Sequence, residues 1–220
     1  MAKVHPNAVV PEPATTSSGT GGAAVSPVED QEPAVLTVWR KSLLFNCDGF
    51  TVFDAKGDLA FRVDCYAAYR RRAEVVLMDV AGKPLLTIRR KRLSLAEHWV
   101  IYDGDATAAK DSPLLSVRRP ASLRASRALA HITPLASSIS AEAYVVEGSY
   151  GRRACAVRDA RGEAVAEVRR KEAVGNDVFR LVADPRLGAP LAMGLVIALD
   201  EMFGGGGASA RWLLRRTWSA

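Results

Sequence analysis

The stretch 187–199 carries no polar side chain on any face. A helix that is apolar all round has to be buried. At about 1.5 Å per residue it spans roughly 20 Å, short of the ~30 Å hydrocarbon layer that takes about 18 or more apolar residues to cross. The sequence ahead of it reads as strands: short apolar runs at 35–41, 50–54, 59–65, 73–79, 85–88, 99–102, 114–118, 128–132, 143–147, 154–159, 165–169 and 178–183, punctuated by turn residues. Several alternate cleanly, with Phe61, Val63 and Cys65 opposing Arg62 and Asp64, and Phe179 and Leu181 opposing Arg180, as a sheet with one wet face requires. A wholly apolar helix after many antiparallel strands is best housed by closing the strands around it. Closure removes the sheet edges and makes the helix the core. Pro190 suits a first helical turn, where its missing N–H is not needed, and Asp200-Glu201 before the Gly204 to Gly207 run is read as the helix exit.

The turns support the same architecture. Asp54-Ala55-Lys56-Gly57, Asp79-Val80-Ala81-Gly82 and Asp159-Ala160-Arg161-Gly162 each sit between apolar runs. Asp bonds its own backbone two residues on and Gly accepts the positive φ of a tight connection, so each is a β-hairpin turn. The second and third copies also end alike, in Ile88-Arg89-Arg90-Lys91 and Val168-Arg169-Arg170-Lys171, which points to related hairpins in two halves of one sheet system. The run 89–97 loses the period of two and reads as a short helix or a rim connection.

At 220 residues and 49% hydrophobic content the chain can bury one full core. Residues 1–34 are rich in Pro, Ala, Ser, Thr and Gly and are expected to be a disordered tail, with the ordered domain at 35–203 and a glycine linker and basic-aromatic tail at 204–220. The start shows no apolar core of a secretory signal. A cytoplasmic or nuclear monomer, peripheral at the plasma membrane, is expected. Cys47, Cys65 and Cys155 are odd in number and widely spaced, so reduced, mostly buried thiols are expected rather than a disulfide framework or a zinc site.

No catalytic constellation is visible. His98 and His131 stand apart without metal-site spacing, Gly148-Ser149-Tyr150-Gly151 lacks the spacing of a nucleophile elbow, and no glycine run precedes the Lys-Ser/Thr of a phosphate loop. Asp103-Gly104-Asp105 with Asp111 lacks the bidentate Glu of a calcium loop. A non-enzymatic protein without metal or cofactor is expected.

The order of parts carries a resemblance. Leu36-Thr37-Val38-Trp39-Arg40-Lys41, Phe50 to Gly57, Val76 to Pro84, His98 to Gly104, Val146 to Tyr150, Val168 to Lys171 and the helix ending Leu199-Asp200-Glu201 follow one another as in the plant LURP-one-related family, which the sequence resembles over about 35–203. That family shares the tubby C-terminal fold and is similar to phospholipid scramblases. The resemblance implies a mainly β fold, a closed antiparallel barrel of about twelve strands around a central hydrophobic C-terminal helix. It also implies a role in plant defence or stress responses and, by analogy, membrane tethering through phospholipid contact. No transmembrane span, palmitoylation cluster or calcium loop supports lipid scrambling itself.

The net charge of +6 favours anionic partners. Arg70, Arg71 and Arg72, Arg89, Arg90, Lys91 and Arg92, Arg118-Arg119, Arg152-Arg153, and Arg169, Arg170 and Lys171 all fall at strand ends or loops. Converged at one rim, they would bind acidic phospholipids or phosphoinositides through charge-assisted hydrogen bonds; unconverged, they are solvated loop charge. Trp212, Arg215, Arg216 and Trp218 compose a tail of the type that lies in a membrane interface. The alternatives are a nucleic-acid-binding regulator using the same rim, disfavoured by the lack of a recognition helix or a base-stacking platform, and a scaffold for protein partners of unknown identity.

Overall fold

The computed structural model describes residues 32–43, 48–65, 74–91, 94, 96–105, 113–120, 127–137, 139, 142–171 and 175–204. At each of the three Asp-x-x-Gly turns the Asp carboxylate and carbonyl do the folding. Asp54 Oδ1 accepts the N–H groups of Lys56 (2.8 Å) and Asp58 (2.9 Å), and its carbonyl accepts from Gly57 (3.2 Å). Asp159 repeats this with Arg161, Glu163 and Gly162, and Asp79 with Lys83 and Gly82. The three glycines have φ of 91°, 87° and 82°, a region that only Gly occupies without strain. Each of these hairpins carries a register shift one step before its Asp, so the extra residue is absorbed as a bulge that strengthens the local twist.

The strands are β1 (Ala34–Trp39), β2 (Asp48–Phe53), β3 (Leu59–Cys65), β4 (Glu74–Met78), β5 (Pro84–Arg90), β6 (His98–Asp103), β7 (Pro113–Arg118), β8 (Ala128–Pro134), β9 (Tyr144–Ser149), β10 (Ala154–Arg158), β11 (Ala164–Arg170) and β12 (Val178–Ala183), followed by one helix, α1 (Ala189–Phe203). Each strand pairs antiparallel with its sequence neighbours. β1 closes the circle against β12, from Ala34↔Ala183 to Trp39↔Val178. The result is a closed barrel with α1 inside it, the fold class the sequence implies.

Alternation sends Leu36, Val38, Val63, Leu77, Ile88, Ile101, Leu115, Val117, Ile132, Val146, Phe179 and Leu181 into one core with Met193, Leu195, Ile197 and Leu199 of the helix. No helix among the described residues is long and apolar enough to cross a membrane.

Two local expectations are made definite. Lys91, Ser94, Ala96 and Glu97 are not helical: the N–H of Lys91 donates to His98 O (2.8 Å) and that of Arg119 to Glu97 O (3.0 Å), which makes this segment a rim connection. The helix exit falls at Gly204, the first of the glycine run, with Asp200-Glu201 still helical. α1 continues to Phe203, and Asp200 is buried because cations from the barrel meet it there. The proposed tails lie outside the described residues, apart from the few residues flanking the barrel.

Candidate functional site

An up-and-down barrel sorts its connections by parity. Loops after even-numbered strands, the Asp-x-x-Gly hairpins among them, fall at one rim, and loops after odd-numbered strands fall at the other. Among the described residues, every basic cluster singled out in the sequence falls at the end of an odd strand or in the loop after it: 89–91 at β5, 118–119 at β7, 152–153 after β9 and 169–171 at β11. α1 enters from the hairpin rim and ends at the basic rim. The chain topology therefore brings these clusters to one end of the barrel, though β5 and β11 stand opposite each other in the strand order. Twelve strands about 4.8 Å apart and tilted about 40° enclose a cylinder roughly 24 Å across. The clusters form a ring that meets a surface; they do not form one pocket around a single headgroup.

Within the ring, pairing divides the cations. Arg89 Nε bonds Glu74 Oε2 at 3.0 Å and its guanidinium lies 5.3 Å from the Tyr102 ring centroid. Glu97 serves both Arg119 (3.6 Å) and Arg90 (4.0 Å). Arg169 is bonded to Glu167. These arginines hold the rim together. Lys91, Arg118, Arg152, Arg170 and Lys171 are exposed, and none is paired with a carboxylate among the described residues. Arg70, Arg71, Arg72 and Arg92, and Trp212, Arg215, Arg216 and Trp218 of the tail, lie outside the described residues.

The sequence reading missed the centre of this rim. Asp200, in the last turn of α1, accepts Arg40 Nε (3.0 Å) on one oxygen and the Tyr150 hydroxyl (3.2 Å) on the other, with Arg153 at 3.7 Å. Arg153 is buried, not a free rim cation as the sequence implied. Its guanidinium sits 4.4 Å and 4.3 Å from the Tyr150 and Phe179 ring centroids, and its Nε donates to Asn176 O at 3.0 Å. Its φ of 53° is left-handed, a strained position for a side-chain-bearing residue that the cluster must hold in place. Burial, and then the Asp200 charge, push the Tyr150 phenol well above its ordinary value of 10.0. The last turn of α1 has no basic residue of its own, so Arg40, Arg153 and Arg119, stacked 5.1 Å from the Phe203 centroid, supply the positive charge that its dipole favours. A pair of acids, Asp200-Glu201, near the end of an otherwise apolar helix was the available signal.

His98 is buried on the outer side of β6, its Nε2 2.7 Å from Ser116 Oγ. Burial, then the charges of Arg118 and Lys91, lower its pKa from 6.5. A histidine and a hydroxyl at this distance resemble half of a nucleophilic dyad, but Nδ1 has no orienting partner among the described residues. Cys155 is a free, buried thiol pushed up to about 11 by burial. Among the described residues no three His, Cys, Asp or Glu side chains gather as a metal site. The outer wall carries shallow depressions, one lined by Arg89, Arg90, Lys91, Val100, Tyr102, Pro113 and Leu135.

The sequence model of the family described as LURP-one-related matches residues 34–200. The chain is similar to Protein LURP-one-related 8 of Arabidopsis thaliana, 42% identical over 212 residues that cover 92% of this chain and 98% of the relative. Protein LURP-one-related 5 of the same plant is 41% identical over 182 residues, covering 79% and 85%. A crystal structure of an Arabidopsis thaliana protein superposes with a TM-score of 0.57 at 24% identity, covering 78% of this chain and 91% of that one. At that identity the likeness establishes the fold.

Proposed function

The chain belongs to the LURP-one-related family, and from that premise we propose that it is a non-enzymatic adaptor that docks its basic rim on acidic phospholipids, phosphoinositides included. The observation that carries this reading is the ring of exposed cations, Lys91, Arg118, Arg152, Arg170 and Lys171, none paired with a carboxylate among the described residues, at the same end of the barrel where Arg89, Arg90, Arg119 and Arg169 are engaged in ion pairs. A ring suits a plane of headgroups. Each cation near an anionic leaflet contributes about 1 kcal/mol. The helix ends at this same rim, and in the sequence six residues separate Gly204 from the Trp- and Arg-bearing stretch 211–218. The defence or stress setting, and a cytoplasmic or nuclear pool that exchanges with the plasma membrane, rest on the family resemblance.

The test is sedimentation of the full chain with phosphatidylcholine vesicles, with or without phosphatidylserine or a phosphoinositide, at low and physiological salt, using random duplex DNA as competitor. Binding that needs the acidic lipid and survives DNA supports the reading. Neutralising Lys91, Arg118, Arg170 and Lys171 together should weaken it by roughly fivefold per charge. Binding that DNA abolishes, or that the quadruple variant retains in full, refutes it.

A further inference from the structure

Beyond the end of β1 the chain bends, with the Lys41 N–H donating back to the Trp39 carbonyl at 2.8 Å. Arg40 reaches into the barrel mouth and Ser42 lies against the outer side of β3, and both are held: Arg40 Nε bonds Asp200 at 3.0 Å, Arg40 N–H donates to Asp177 O at 2.7 Å, and Ser42 Oγ donates to Asp64 Oδ1 at 2.6 Å. Between them, the Lys41 carbonyl accepts the Thr51 hydroxyl at 2.7 Å. Around this bend Trp39, Lys41 and Leu43 are exposed, Trp39 by 43% and Leu43 by 56%. They are exposed on a pinned backbone. Elsewhere among the described residues the exposed large hydrophobics are Val80 and Leu135, both beside loops of the opposite rim.

The surroundings of this triplet are cationic. Trp39 pairs in register with Val178 of β12, and Arg170 of β11 pairs with Phe179 beside it. Arg180 of β12 lies on the outer face with Trp39, while Arg170, in register with the buried Phe179, stands at the barrel mouth; both are exposed, as is Lys171. An indole and an isobutyl group beside lysine and arginine are what an acidic bilayer interface accepts: the ring sits at headgroup depth, the leucine reaches the acyl boundary and the cations meet phosphate.

We propose that Trp39 and Leu43 are a built-in wedge that enters the interface of an acidic phospholipid bilayer, with Lys41, Arg170 and Lys171 on the phosphates around it. The proposal rests on the membrane-docking reading and deepens it, because it fixes which edge of the ring faces the lipid and adds a contact that salt does not screen. Charge alone would give binding that fades as ionic strength rises. The wedge leaves a component that persists.

The experiment compares the full wild-type chain with Trp39→Ala/Leu43→Ala, with Leu43→Ser alone, and with the four-charge variant described above, on phosphatidylcholine vesicles with and without phosphatidylserine. Leu43→Ser guards against loss of packing around Trp39, and melting temperature is recorded for all. At physiological salt the double variant should bind roughly tenfold to a hundredfold more weakly, and Leu43→Ser by several-fold, while low-salt binding stays. Quenching of tryptophan fluorescence by brominated lipid should fall in Trp39→Phe relative to wild type. If the double variant binds as wild type at both salts while the charge variant loses binding, the wedge is wrong and the rim reading stands. If wild type ignores acidic vesicles at low salt, both fall.

Discussion

Replacing Asp200 by Asn tests what ties the helix to its barrel. The substitution keeps the size of the side chain and an acceptor for the Tyr150 hydroxyl 3.2 Å away, and removes only the charge. Arg153, 4% exposed between two aromatic rings, then loses its counter-ion, and the Arg40 bond at 3.0 Å loses its ionic character. Breaking a buried ion pair by removing one partner costs about 3–5 kcal/mol. Two features lower that figure: the Arg40 side chain is 29% exposed and can rehydrate, and the faces of Tyr150 and Phe179 hold part of the Arg153 charge, a contribution of roughly 0.5–2 kcal/mol. The expected loss is about 3 kcal/mol, or roughly 6–12 °C in melting temperature for a domain of this size. Scanning calorimetry or circular dichroism reads it. A double-mutant cycle with Arg153→Met separates the pair from the burial cost, and the double variant should be less destabilised than the sum of the singles. A melting temperature for Asp200→Asn within about 2 °C of wild type would refute the idea that this cluster locks the helix.

Three further outcomes follow from the packing and the titrations. A Cβ at Gly49 would lie 1.8 Å from the Val63 carbonyl oxygen across the β2–β3 pair, so Gly49→Ala should leave little folded protein in a denaturant titration; a wild-type midpoint would show the strand can shift. Because the folded pKa of His98 lies below the 6.5 of the unfolded chain, the unfolded state binds the proton more readily; the stabilising term is complete above 6.5 and is lost as pH falls through the lower folded value. His98→Gln should flatten that part of a melting-temperature profile taken from pH 7.5 to 5. With its pKa near 11 and its side chain buried, Cys155 should resist iodoacetamide at pH 8 until the barrel is unfolded, as peptide mapping would record.

The strands were legible because their code is local. Alternation and Asp-x-x-Gly turns are written within seven or eight residues, and all twelve candidate runs coincide with strands to within a few residues. What could not be read was which arginines are available. Arg89 finds Glu74 fifteen residues away, and Arg40 finds Asp200 at a separation of 160. Such pairs are created by closure of the barrel, and they turn several nominated lipid-binding arginines into rim struts. Nor does any neighbour of Arg153 announce its left-handed backbone. The convergence at one rim was closer to hand, since counting strands from β1 places each cluster after an odd one.

Charge separation along the barrel makes the overall balance of +6 a poor guide to how the molecule meets a surface. The hairpin rim carries Asp54, Asp58, Asp79, Asp159, Glu163 and Asp184 against Lys56, Lys83, Arg161 and Arg186. The opposite rim carries the unpaired cations. α1 runs between them for roughly 22 Å, which is more than two Debye lengths at physiological ionic strength, about 8 Å each. A leaflet in contact with the basic rim is therefore attracted by the nearby cations and barely repelled by the acids behind them. In the proposed docking, the hairpin rim would face away from the membrane and be screened from it. Binding at both ends would need no change of shape, only a barrel stiff enough to keep them apart, and the Asp200 cluster with the filled core supplies that stiffness.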